Sequence, residues 1–134
     1  MILKERLKQL AIRTAWLCTK VPQNLINKVY TGQLVRCSSS SASNYRSACR
    51  GKSKADFINK LRIVEEELDE SMFFYEMLAE FNSDNKNELR ELYKEADELL
   101  SIIVASINTA ISNVEKEKLL KKSEIVNLKS KISG

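Results

Sequence analysis

The sequence has no histidine, one proline, three glycines and three cysteines. Without histidine, Ser-His-Asp and Cys-His nucleophile arrangements are excluded. So are His-bearing zinc sites, HExxH helices and haem held through His. Scarce Gly and Pro leave little material for tight turns, which argues against sandwiches, barrels and propellers and for a few long helices. Cys18, Cys37 and Cys49 are odd in number and form no CxxC pair, so neither a zinc ribbon nor a thioredoxin-type motif is offered; they are expected as small, reduced core residues. No glycine-rich phosphate loop is present. Gly51-Lys52-Ser53-Lys54 has the look of the end of one, but Arg46 stands where its partner glycine belongs. No apolar run approaches the roughly 20 residues of a membrane span. The start, Met1-Ile2-Leu3-Lys4-Glu5-Arg6, lacks an apolar signal core. A soluble, cytoplasmic chain without membrane contact is expected.

What is present fits one globular all-α domain. Apolar residues make up 43% of the 134, too many for a disordered chain. Leu3, Leu7, Leu10, Thr14, Leu17 and Val21 recur at steps of four and three, which predicts a helix over about 2–20, ended by Pro22. The next segment, about 25–50, contains Ser38-Ser39-Ser40-Ser41-Ala42-Ser43. Its composition reads as a linker. Its flanks keep helical spacing through Ile26, Tyr30, Leu34 (or Gln33), Cys37, Ser41, Asn44 and Ala48, which favours a helix whose small residues admit a close neighbour. Ser hydroxyls bonding to carbonyls four residues back would satisfy buried donors. Gly32 costs such a helix about 1 kcal/mol relative to Ala unless packing needs it. Gly51 is expected as the glycine just past its end.

Ser53-x-x-Asp56 resembles a capping box opening a third helix, about 54–80, with the stripe Phe57, Leu61, Val64, Leu68, Ser71, Tyr75 and Leu78. Across Met72-Phe73-Phe74-Tyr75-Glu76-Met77-Leu78 the apolar arc is too wide for one buried face. Met72, Phe73, Phe74, Met77 and, on the next helix, Ile102 are therefore candidates for a contact between subunits. Asn85-x-x-Glu88 is a second capping signature, opening a fourth helix over about 86–115 through Leu89, Leu92, Tyr93, Ala96, Leu99, Leu100, Ile103, Ile107, Ala110, Ile111 and Val114. Residues 116–134 form a basic, weakly amphipathic tail that prolongs this helix, docks or stays loose. Short connections predict an antiparallel up-down-up-down four-helix bundle over 1–115.

Glu65-Glu66-Glu67 with Asp69-Glu70 is the densest acid cluster, but a di-metal bundle site calls for Glu-x-x-His. A solvated or salt-bridged helix face is the better reading. No catalytic, cofactor-binding or metal-ligating residue is assigned, no cofactor is expected, and an enzyme is not expected.

Charge is strongly segregated. Residues 1–54 carry eleven Lys or Arg and one acid, net +10; residues 55–115 carry five and fifteen, net −10; residues 116–134 carry six Lys and two Glu, net +4. Two explanations stand together. Basic helices one and two pair with acidic helices three and four along seams or across subunits. Alternatively, Arg36, Arg46, Arg50, Lys52 and Lys54 gather at one end of the bundle as a site for phosphate backbones, RNA or DNA, or for an acidic protein. Tyr45 is either a stacking surface beside them or a core residue.

The segment Gln33-Leu34-Val35-Arg36-Cys37-Ser38, with SNYRSACRGKSKADFINKLRIVEEELDESMFFYEML (43–78) and KEADELLSIIVASINTA (94–110), resembles the bacterial four helix bundle proteins encoded within intervening sequences of large-subunit ribosomal RNA genes. The resemblance spans roughly residues 3–112 and leaves out the basic tail. It implies that the Ser run is helical and that the chain is a bundle assembling as a homopentamer. It also implies kinship with the accessory variability proteins of diversity-generating retroelements, basic pentamers that bind nucleic acid and a reverse transcriptase. Many members carry a Glu-Gly pair three residues after the motif asparagine. Here Ser47 and Ala48 stand there, after Asn44, so no role of that glutamate carries over.

Overall fold

In the computed structural model, which describes residues 1–133, the chain is four helices and no strand among the described residues: α1 (Leu3–Lys20), α2 (Leu25–Ala48), α3 (Lys54–Phe81) and α4 (Lys86–Ser133). Each helix packs on two neighbours in the cyclic order α1, α2, α3, α4. Cross-links fix the directions. Arg6 reaches Glu95 while Lys20 reaches Glu88, so α1 and α4 are antiparallel. Asn27 meets Asn82 while Arg36 meets Glu70, so α2 and α3 are antiparallel too. The bundle is up-down-up-down, as the short connections require.

The core follows the heptad stripes. Leu7, Leu10 and Leu17 of α1, Leu34 and Cys37 of α2, Leu61, Val64, Leu68 and Leu78 of α3, and Leu89, Leu92, Ala96, Leu99 and Ile103 of α4 form one buried cluster. Burial of the Leu, Ile and Val side chains contributes about 1.5–3 kcal/mol each. Polar residues inside it are satisfied. Thr14 and Tyr75 share a 2.7 Å hydroxyl hydrogen bond across the α1–α3 diagonal. Ser71 Oγ donates at 2.8 Å to the Glu67 carbonyl and lies 3.1 Å from Cys37 Sγ.

Sequence spacing and structure part company at several points. On α2 the buried position is Asn27, and Ile26 faces outward. The Asn27 and Asn82 amides donate to each other at 2.8 Å, and their second N–H groups go to the Pro22 and Leu78 carbonyls. A fully satisfied amide pair can hold a buried position that an apolar stripe would assign to Ile. Ser38, Ser41 and Ser43 bond carbonyls three residues back, not four. Gly51 has no positive φ. α2 ends instead in a tightened turn, with the Arg50 and Gly51 N–H groups reaching the Ser47 and Ala48 carbonyls. Glycine suits position 51 because a Cβ there would lie 3.0 Å from the Ala48 carbonyl oxygen and 3.1 Å from Asp56 Oδ2. Ser53 Oγ accepts from the Asp56 N–H and caps α3. Asn85 belongs to a 3-10 turn, Ser83–Asn85, that leads into α4 from Lys86.

α4 is 48 residues long. Its stripe is buried to Ile107, and every residue from Glu115 to Ser133 is exposed. The basic segment is thus a helical extension projecting past the α2–α3 connection; Gly134 lies outside the described residues.

Candidate nucleic-acid interface

Most of the basic charge of the first half meets the acidic charge of the second inside one chain. Seven ion pairs occur among the described residues. Arg6 bridges Glu95 at 2.6 Å and Glu98 at 3.3 Å. Arg13 pairs with Glu91 and Lys20 with Glu88. Arg36 spans Glu67 at 3.3 Å and Glu70 at 2.7 Å. Lys54 pairs with Glu117. Six of the seven therefore join α1 or α2 to α3 or α4, the seam arrangement that the segregated charge allows. The Glu95 hydrogen bond raises the Arg6 pKa against a smaller desolvation effect, and the Glu70 bond does the same for Arg36.

This pairing divides the five basic residues singled out from sequence. Arg36 lies midway along α2, is held by two α3 carboxylates and is not at the basic end. Lys54 turns toward α4 and Glu117. Its spacing from Lys52 gave no sign of this, because the partner is 63 residues away. Arg46, Arg50 and Lys52 do come together, lining the lower α2–α3 groove with Ser43, Ser47, Asp56 and Lys60. Arg46 and Ser43 also border the α1–α2 groove, whose walls carry Lys4, Lys8, Glu5, Ile12 and Ser39. One cationic surface thus straddles the lower half of α2: Lys4, Lys8, Arg46, Arg50, Lys52 and Lys60. None of the six is ion-paired among the described residues. Glu5 and Asp56 are the acids within it.

Sequence reasoning missed Lys4, Lys8 and Lys60. The signal was there in part: Arg46 and Arg50 have no acid three or four positions away in the sequence, whereas the nearness of α1 and α3 is tertiary. The Ser run has two roles here. Ser38 and Ser41 face the core, while Ser39 and Ser43 floor the grooves. Their small side chains keep these grooves open between basic walls. Tyr45 packs against the core, and burial, followed by Cys49, raises its phenol above its ordinary pKa. It is a core residue and not a stacking platform.

The subunit-contact candidates also divide. Met72 is buried in the chain's own core. Phe74 is half-buried, 6.0 Å ring to ring from Tyr30, and Met77 and Ile102 are half-buried on the flanks. Phe73 is 52% exposed and meets Phe74 edge-on at 5.3 Å. Phe81, equally exposed, lies 6.0 Å from Tyr30. With Ile26 and Val29 exposed beside Tyr30 on α2, these rings give the upper α2–α3 face an aromatic strip at the opposite end from the cations.

No cluster of three His, Cys, Asp or Glu side chains suited to a metal occurs among the described residues, and no helix there is long and apolar enough to cross a membrane. A family model described as 23S rRNA-intervening sequence protein matches residues 2–105. No curated protein matches the sequence. Among solved structures, a protein of unknown function from the S23 ribosomal protein family of Bacteroides thetaiotaomicron VPI-5482 superposes with a TM-score of 0.69 at 24% identity, over 79% of this chain and 98% of that one. That likeness shows a shared fold, and its span leaves part of this chain unmatched.

Proposed function

Given that the chain belongs to the 23S rRNA-intervening sequence protein family, we propose that it is a non-enzymatic, cytoplasmic scaffold that self-associates, with a pentamer as the expected assembly, and binds nucleic acid, RNA before DNA. The observation that carries this reading is the set of six cations around lower α2 without an ion-pair partner among the described residues, in a molecule whose other N-terminal cations mostly have acidic partners. A protein using basic charge only for its own seams has no need of an unneutralised remainder on one surface. Phosphates are the natural counter-charge, and repetition of the surface in an oligomer would multiply the field. The exposed aromatic strip at the other end supports self-association, since contiguous apolar surface of that kind marks an interaction site.

A salt titration tests the reading. Binding of single-stranded RNA should weaken steeply with salt, log affinity falling by about 0.7 per neutralised phosphate for each unit of log salt. No binding at low salt overturns it. Arg50→Ala with Lys52→Ala should lower RNA affinity and leave the native mass unchanged. The competing role, an adaptor for an acidic protein, is separated by pull-down with and without nuclease: partners released by nuclease support the RNA reading, and partners retained support the adaptor.

A further inference from the structure

The α4 extension has no reason to be exposed on its own. From Lys116 to Ser133 every side chain is solvent-facing, including Leu119 at 67%, Leu128 at 60% and Ile132 at 77%. An isolated helix of this length is marginal in water, and its stability normally comes from packing an apolar face. The face is well defined. The core stripe of α4 through Ile103, Ile107, Ile111 and Val114 continues past the bundle as Lys118, Lys121, Ile125, Leu128 and Ile132. Lys122 and Lys129 fall three before and four after Ile125, on the same side. The extension projects about 25 Å beyond the bundle, with this face lysine-rich near the bundle and apolar at Ile125, Leu128 and Ile132, over about 10 Å.

The complement is on the outer α3–α4 face. Arg62, Glu65, Glu66, Asp69, Leu100 and Val104 line a groove with an apolar floor and a mainly acidic rim. None of Glu65, Glu66 and Asp69 is in an ion pair among the described residues. The acidic character continues upward. Tyr93, whose pKa is raised by desolvation first, also feels Glu76, Asp97 and Asp69. From Glu65 to Glu80 the acidic wall is about 22 Å long, close to the length of the extension. The chain cannot fill its own groove, because α4 forms one wall and runs straight out of it.

We infer that the basic extension of one copy docks in the acidic α3–α4 groove of a second copy. Ile125, Leu128 and Ile132 lie over Leu100 and Val104, and the flanking lysines meet Glu65, Glu66 and Asp69. The contact joins two different surfaces, so it repeats from copy to copy and closes into a ring or pairs reciprocally. The extension lies beyond the stretch matched by the family model, which ends at residue 105. The inference rests on the self-association proposed above.

Zero-length carbodiimide cross-linking of the full chain, in a mixture of isotopically light and heavy copies, tests it. The expected products join Lys118, Lys121, Lys122 or Lys129 of one copy to Glu65, Glu66 or Asp69 of the other. Reversing the extension (Lys121→Glu, Lys122→Glu, Lys129→Glu) or the groove (Glu65→Lys, Glu66→Lys, Asp69→Lys) should each cut the yield about tenfold or more, and combining the two sets should restore it. Light scattering on the unmodified protein separates the failures. A monomer overturns both this inference and the self-association reading. An oligomer whose cross-links avoid the groove, or whose yield ignores the reversals, overturns this inference alone.

Discussion

Arg6, Arg13, Lys20 and Arg36 differ from Lys4, Lys8, Arg46, Arg50 and Lys52 in one respect that composition conceals. All nine belong to the same basic stretch, yet the first four face carboxylates across a helix seam and the other five face solvent, with half-buried Lys60 of α3 beside them. The first group is positioned opposite α3 or α4 at heights where Glu67, Glu70, Glu88, Glu91 and Glu95 stand. The second clusters at the lower α2 face, where α1 and the start of α3 bring only Glu5 and Asp56 as acids. A block of like charge in sequence therefore gives two populations in space, one paired across helix seams and one without an ion-pair partner among the described residues.

The largest effect should come from emptying the free group. Arg46→Ala, Arg50→Ala and Lys52→Ala together should lower RNA affinity about 100-fold at low salt and reduce the log-log salt slope by roughly 2, as three lost phosphate contacts require. Thermal unfolding should hardly move; an equal loss of stability would erase the distinction between the groups.

Alkaline pH should act on the core beneath both groups. Burial, then Cys37, pushes the Cys18 thiol from 9.0 to about 11. Burial also raises Cys37 and Tyr75, against the opposing hydrogen bonds of Ser71 and Thr14. The folded protein holds these protons where the unfolded chain releases them. The stabilisation is complete below about pH 9 and is lost as pH rises toward 11. Melting scans should show a falling transition over that window and none attributable to these groups between pH 6 and about 8.

Breaking the best-placed pair should cost less. Arg6→Ala removes a guanidinium only 22% exposed, with Glu95 at 25%, and should destabilise by about 1 kcal/mol in urea unfolding. RNA affinity should be unchanged. Arg36→Ala, at an exposed bridge, should alter neither stability nor RNA binding measurably; a large loss of RNA affinity would move Arg36 back into the binding group. Gly32→Ala is the opposite control. A Cβ there meets nothing within 4 Å, so the substitution should stabilise α2 by up to about 1 kcal/mol.

Much of the fold was legible because helical periodicity is local. The stripes of α1, α3 and α4 and the Ser53 cap are written in residues three and four apart. Ile26 misled because its burial depends on what lies opposite, and opposite is Asn82, whose amide selects Asn27. The cationic cluster was half legible: Arg46, Arg50 and Lys52 do come together, Arg36 and Lys54 pair with carboxylates 31 and 63 residues away, and α3 brings in Lys60.

The sequence by itself determined that the chain makes long amphipathic helices, that their charge is segregated, and that histidine chemistry is absent. Only the tertiary structure decided which cations are neutralised, which stay free, and which stretch of α4 leaves the bundle. The physical reason is range: backbone hydrogen bonds and stripe spacing are fixed within a few residues, whereas an ion pair depends on the neighbour and height at which two distant helices meet.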